Sequence, residues 1–255
     1  MASDPTAVVQ EIFSGIQGEG VLVGVRQLFV RLHGCHLACA YCDTPAARAA
    51  APAVCRVERD PGSRVLEDVP NPLAVDDLVA IVRRQYAGYP HQAVSLTGGE
   101  PLLHAALLAH LLPALHAEGW VTYLETNGAL PDALAGLPVP PRLVAMDIKL
   151  PSTAGTPPLW EAHAAFLRVA LARVGAGAVQ VKVVFGAELD EVERAAALVA
   201  AQSRAVPLVL QPVTARPGGP PPPTPAQTLA AQTRAARHHS DVRVIPQTHV
   251  ALGQW

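Results

Sequence analysis

Cysteine is scarce in this chain: four in 255 residues are too few for a disulfide scaffold. Excess charge is missing as well, since 19 Lys and Arg face 21 Asp and Glu for a net charge of −2. No dense basic block breaks that balance, which argues against holding a nucleic-acid backbone, although a few placed basic residues could still hold a small anion. No apolar run approaches the roughly 20 residues that span a bilayer. The opening MASDPTAVV lacks a basic n-region and a long apolar h-region, so no secretory signal is expected. The expectation is a cytoplasmic protein with no membrane and no nucleic-acid partner. There are no internal repeats.

What is present is a large apolar fraction, 50% of residues, in a length that suits one α/β domain over 1–255. Short β-branched runs alternate with helical patterns. Strands are expected at Leu28–His33, Ala93–Thr97, Val121–Thr126, Arg142–Lys149, Ala178–Phe185 and Val206–Val213, with DVRVIPQTHV as a last strand and tail. Helices are expected at Val75–Tyr86, Leu102–Ala117, Trp160–Arg173, Glu188–Gln202 and Pro225–His238. About six strands with helical crossovers imply parallel pairing, too few for a closed eight-fold barrel, hence an open, partial (β/α) barrel. Residues 46–72 read as an irregular insertion, and 214–227 as a proline-rich surface connector. The polar motifs GC…C..C, TGGEP, ETNG and DIKLP each follow a strand at its carboxyl end, where such folds carry their chemistry.

Three of the four cysteines, Cys35, Cys39 and Cys42, crowd into GCHLACAYCDTP. In a reducing compartment such clustering points to metal or redox chemistry. Structural zinc is four-coordinate with ligands in separated pairs, so Cys-x3-Cys-x2-Cys would need Cys55 or His36 as a fourth ligand. A thiol–disulfide pair at Cys39 and Cys42 is another reading. A [4Fe–4S] cluster on three thiolates fits better, because it leaves one iron free for a further ligand.

That spacing, with Tyr41 before the last cysteine, resembles the radical S-adenosylmethionine superfamily, and GGEP (Gly98–Pro101) resembles its second signature. EIFSGIQGEG, FVRLHGC, CDTP, LTGGEP and the terminal PQTHVALGQW together resemble the 7-carboxy-7-deazaguanine synthase family. The resemblance covers both ends and most strand termini, and is weak in 46–72 and in the helices. It implies a [4Fe–4S] cluster on Cys35, Cys39 and Cys42 that reduces S-adenosylmethionine to a 5′-deoxyadenosyl radical. The radical takes a hydrogen atom from C6 of 6-carboxy-5,6,7,8-tetrahydropterin. A Mg²⁺-assisted ring contraction then loses ammonia, and S-adenosylmethionine is regenerated.

The resemblance also implies roles. Tyr41, Cys42 and Asp43 lie along the adenine, with packing as the plain alternative for Tyr41. Thr44 offers a hard oxygen to Mg²⁺; alone it would read as a turn-capping residue before Pro45. Gly99 touches the cofactor, glycine being apt where backbone approaches a ligand closely; Glu100 holds either the loop or the methionyl ammonium. Asp147 and Lys149 also face the cofactor, Asp147 standing where the family often has serine. Ile16, Gln17, Gly18 and Glu19 face the pterin, as do Thr97 and His249. Arg31, inside an apolar strand, needs a partner: a substrate carboxylate or an internal ion pair. The terminal carboxylate of Trp255 stands where family members end in proline. Glu125 and Asn127 share the rim with no assigned role. A homodimer and a flavodoxin or ferredoxin electron donor follow by resemblance.

Two other classes compete. Another radical enzyme of this superfamily, such as a glycyl-radical activase, keeps the cysteines but leaves IQGEG and QTHVALG unexplained. A zinc-binding module fails on ligand number and on GGEP.

Overall fold

The computed structural model describes residues 5–253. A ten-stranded sheet forms its centre: β1 Val9–Ile16, β2 Arg26–Leu32, β3 Val54–Glu58, β4 Leu66–Pro70, β5 Val94–Gly98, β6 Thr122–Thr126, β7 Leu143–Ile148, β8 Val179–Phe185, β9 Leu208–Pro212 and β10 Val242–Val244. The spatial order is β10-β9-β8-β7-β6-β5-β2-β1-β3-β4. From β2 to β10 every pairing is parallel, which gives seven parallel strands where about six were expected. The two ends of the sheet do not pair with each other, so the barrel is open.

The parallel strands were legible because they are buried and therefore continuously apolar. Helices α1 Val75–Gly88, α2 Ala105–Ala117, α3 Trp160–Val174, α4 Leu189–Gln202 and α5 Pro225–Ala236 supply the crossovers. Local chemistry marks their starts. The Asp77 carboxylate accepts the Ala74 N–H at 3.1 Å before α1. Thr224 and Gln227 cap each other's backbone N–H groups at the start of α5. Pro101–His104 is a 3-10 turn rather than the first turn of α2. One apolar cluster runs through the sheet and its helices, from Val9 and Ile12 to Ala231 and Ala235.

Two expectations are corrected, for residues 46–72 and for 214–227. Residues 46–72 are not irregular throughout: they hold a 3-10 turn at Pro45–Arg48 and the antiparallel hairpin β3–β4, which extends the sheet beyond β1. DVRVIPQTHV is a three-residue strand followed by a helical turn, Thr248–Ala251. The helix expected from Pro225 is present, but the first residues of 214–227, Thr214 and Arg216, line the cavity described below rather than forming a plain surface connector. No described helix is long and apolar enough to cross a membrane.

Candidate active site

A cavity of about 480 Å³ is lined by residues of the sheet and of the loops that follow its strands. Parallel pairing places the strand ends side by side, and each end delivers a polar residue. Register sets Arg31 beside Thr97, and Asp147 beside Lys182. The turn between β1 and β2 brings Gln17 and Glu19 into the same space from the other end of the sheet, because β1 runs antiparallel to β2.

Cys35, Cys39 and Cys42 all line this cavity, half-buried and without a disulfide. Burial pushes the thiols of Cys35 and Cys39 up, so a cation is needed to hold them as thiolates. Their loop is shaped by backbone: Cys42 N–H donates to the Cys39 carbonyl at 3.1 Å, and Ala40 N–H to the Ala154 carbonyl at 2.8 Å. Among the described residues, no group of three metal-ligating side chains with donor atoms within 4.8 Å of one another includes a cysteine. Tetrahedral zinc would bring its sulfurs to about 4 Å of each other. Cys55 lies fully buried in β3 within the apolar core, its thiol pushed up to about 12 by burial, and His36 is exposed and off the cavity wall. The zinc reading therefore loses both candidates for a fourth ligand. Three thiols on one wall of an open cavity are the donor set that a site-differentiated iron–sulfur cluster takes.

Gly99 backs this loop. A Cβ there would strike the Gly34 carbonyl group and stand 2.8 Å from Cys35 Cβ. Glu100 is fully buried and off the cavity wall. Its carboxyl accepts the N–H groups of Leu102 (3.1 Å) and Asn127 (2.7 Å) and the Thr126 hydroxyl (2.8 Å). Burial pushes that carboxyl up against the pull of those donors. It ties GGEP to ETNG.

A charged chain crosses the cavity. Lys149 Nζ reaches Asp147 at 2.7 Å, and Lys182 Nζ bonds Glu19 and lies 3.4 Å from Asp147. Burial alone would raise the Glu19 carboxyl, but Lys182, Gln247 and His249 hold it at about 2. Lys149 also sits 5.3 Å from the centre of the Tyr41 ring, whose buried hydroxyl has no partner. Arg31 does have an internal partner, Glu11, at 2.8 Å, and extends its fork to the Thr44 hydroxyl at 3.4 Å. Thr44 in turn donates to Asp43 at 3.0 Å. Among the described residues, Glu19, Asp43 and His249 bring one donor atom each within 4.8 Å of one another, and Thr44 adjoins Asp43. Ile16, Gly18 and His249 line the same wall, and Gly18 has no room for a side chain because its Cβ would lie 2.5 Å from His249 Cβ. Trp255 lies outside the described residues.

The structure also brings in residues that were not singled out: Gln180, Lys182, Gln211, Thr214, Arg216 and Gln247. Lys182 had a signal, being the one charge in the apolar AVQVKVVF, as Arg31 is in its own strand. Glu125, previously without a role, accepts from Gln17 (2.8 Å), Ser95 (2.9 Å) and Thr97 (3.0 Å) on the cavity floor. Several lining atoms are buried and unpaired: Asn127 Nδ2, Asp147 Oδ1 and Gln211 Oε1. Such atoms are costly unless a bound group completes them. One donor and two acceptors of this kind suit a ligand rich in hydroxyl, amino and carboxylate groups.

His163, fully buried in α3, fastens two of these strand ends together. Its Nδ1–H donates to the Gly128 carbonyl at 3.0 Å, and its Nε2 accepts the Lys149 N–H at 3.1 Å. The bond from Lys149 needs the neutral ring, since a protonated Nε2 cannot accept, and burial holds its pKa at about 4, below the ordinary 6.5. The unfolded chain thus binds the proton first, so stability falls as pH drops from about 6.5 to about 4. His163→Gln is expected to flatten that limb by about 3 kcal/mol, read by urea unfolding at the two ends of the window. His91, held at about 4 mainly by burial, keeps a second loss in the same window. An unchanged slope in the variant would exclude the assignment to His163.

An open, mostly parallel barrel with three cysteines facing its cavity defines a radical S-adenosylmethionine protein. The sequence profile of the Radical SAM superfamily matches residues 29–152. A 7-carboxy-7-deazaguanine synthase of Geobacter sulfurreducens is 43% identical over 256 aligned positions, covering 99% of each chain. One of Methanopyrus kandleri is 40% identical over 58% of this chain and 59% of its own. The crystal structure of QueE from Escherichia coli superposes with a TM-score of 0.62 at 26% identity, covering 96% of this chain and 95% of that one. The chain belongs to the 7-carboxy-7-deazaguanine synthase family.

Proposed function

We propose that this protein contracts the ring of 6-carboxy-5,6,7,8-tetrahydropterin to 7-carboxy-7-deazaguanine, with loss of ammonia, in deazapurine biosynthesis. The observation that carries the reading is convergence. The IQGEG turn and the cysteine loop near the start of the chain and the histidine at its far end all face one cavity. The glycyl-radical activase alternative accounts for the cysteine loop alone.

Cys35, Cys39 and Cys42 would hold the [4Fe–4S] cluster. Asp147, Lys149, Asn127 and the Gly99 backbone would hold S-adenosylmethionine, beside Tyr41, Cys42 and Asp43. When bound, this pair supplies the radical that removes the C6 hydrogen atom. The rest is positioning by the chain. Glu19, kept ionised by Lys182, accepts N–H groups of the pterin edge together with Gln17 and the Gly18 backbone. Glu11 holds the Nε side of Arg31, which orients the rest of the guanidinium toward Thr44 and the substrate carboxylate. Thr97 and His249 bound the pterin from opposite sides. Mg²⁺ on the Thr44 hydroxyl, with Asp43 close by, would steady that carboxylate. Cytoplasmic location, a homodimer and a flavodoxin- or ferredoxin-type donor complete the proposal.

The test is anaerobic reconstitution with iron and sulfide, followed by incubation with the carboxytetrahydropterin, S-adenosylmethionine and a low-potential reductant. The expected result is deazaguanine product and ammonia in equal amounts, with S-adenosylmethionine conserved. A full cluster complement that yields no deazaguanine would defeat the proposal.

A further inference from the structure

Gln247 lies in the tail between β10 and the helical turn that carries His249. Its carboxamide is committed on three sides. Nε2 donates to Glu19 Oε1 at 2.6 Å and to Asp43 Oδ2 at 3.1 Å, and Oε1 accepts the Thr214 hydroxyl at 2.6 Å. One side chain therefore joins four segments: the IQGEG turn, the cysteine loop directly after Cys42, the loop after β9, and the tail itself. The amide suits the place, because its two N–H groups serve two carboxylates at once without adding charge. A glutamate there would add a third acid, and an alanine would remove one donor from each acid, leaving Glu19 to Lys182 and Gln211 and Asp43 to Thr44.

The remaining tail contacts go elsewhere. Thr248 donates from N–H (2.9 Å) and hydroxyl (3.2 Å) to the Gly18 carbonyl. Arg64 donates to the Gly253 carbonyl at 2.9 Å. Ile245 N–H bonds the Leu210 carbonyl at 3.0 Å. The hydrogen bond from Gln247 to Asp43 connects the tail to the loop that bears the sulfurs.

We infer that Gln247 is a positioning residue that latches the tail, and His249 with it, to the cysteine loop. Order in that loop then passes to the substrate side of the cavity. This rests on the reading of Cys35, Cys39 and Cys42 as cluster ligands, and it adds a coupling between the two halves of the site. Two hydrogen bonds to carboxylates are enough to change the tail's closed population by about tenfold or more.

Hydrogen–deuterium exchange on the full chain, before and after anaerobic iron–sulfide reconstitution, tests it without turnover. In the natural protein, reconstitution should slow exchange in residues 35–44 and 245–253 together. In Gln247→Ala, and in the isosteric Gln247→Glu, it should slow exchange in 35–44 alone, with iron content unchanged. Equal protection of the tail in both variants and the natural protein would overturn the latch, as would an unprotected tail in the reconstituted natural protein. In turnover, Gln247→Ala should raise KM for the carboxytetrahydropterin by about tenfold or more, with kcat and the Kd for S-adenosylmethionine changed far less. An unchanged KM would also count against it. Failure of the natural protein to form deazaguanine would strike the proposed function, while the exchange result would still judge the latch.

Discussion

Cys39→Ala protein is expected to fold normally, to stay colourless after anaerobic reconstitution, and to lose turnover by roughly 10⁴-fold or more. The fold should survive because the loop is held by main chain. The Cys39 carbonyl accepts the Cys42 N–H, and the Ala40 N–H is anchored on Ala154, neither of which needs the sulfur. The thiol itself is half-buried on the cavity wall, so its loss leaves little core unfilled. Two thiolates cannot retain a cluster that already lacks a fourth protein ligand. Iron analysis, visible absorbance and thermal unfolding on one preparation separate the two effects. A variant with full iron content would remove Cys39 from the ligand set.

The second large effect is expected from a single methyl group. Gly99→Ala places a Cβ against the Gly34 carbonyl, 2.6 Å from its carbon and 2.8 Å from Cys35 Cβ. The obstacle is backbone and cannot swing away as a flexible side chain would. The same contact is fastened by Glu100 N–H on the Gly34 carbonyl at 2.9 Å and Gly99 N–H on the Leu32 carbonyl at 3.2 Å. Either the GGEP turn or the first cysteine must move. Overpacking of this kind costs about 1–3 kcal/mol, and here the strain falls on a ligand. Lower melting temperature, reduced iron uptake and S-adenosylmethionine affinity weakened by at least about tenfold are expected together. Gly177→Ala is the control: a Cβ there meets nothing within 4 Å, and its stability should stay within about 0.5 kcal/mol. Natural-protein iron content and melting temperature in Gly99→Ala would sink this account.

The sequence was informative where burial is two-sided. Strands β5 to β9 are apolar runs that end in polar motifs, and both the run and the break can be read without coordinates. It was less informative at the antiparallel edge. In β1 the register shifts between Val9 and Glu11, so the alternation of two that marks a half-buried strand is interrupted at its start. The β3–β4 hairpin is short and flanked by prolines, and Cys55 there looked like a spare ligand until its neighbours proved to be core. Arg31 shows a different limit. Its need for an anion followed from its setting in LFVRLH, but sequence offered no means of choosing between substrate and Glu11, which lies on the adjacent strand.

By itself the sequence determined the open parallel barrel, the triple-cysteine loop and the family, because each is encoded in short contiguous patterns that local physics reads directly. Tertiary structure alone decided how the polar residues divide the work. Glu100 joins the GGEP turn to the ETNG strand end, and Lys182 became the partner that keeps Glu19 ionised. Gln247 came to bind a residue 228 positions away. Those assignments depend on which side chains a folded sheet sets within about 3 Å of one another, and separation along the chain carries no record of that distance.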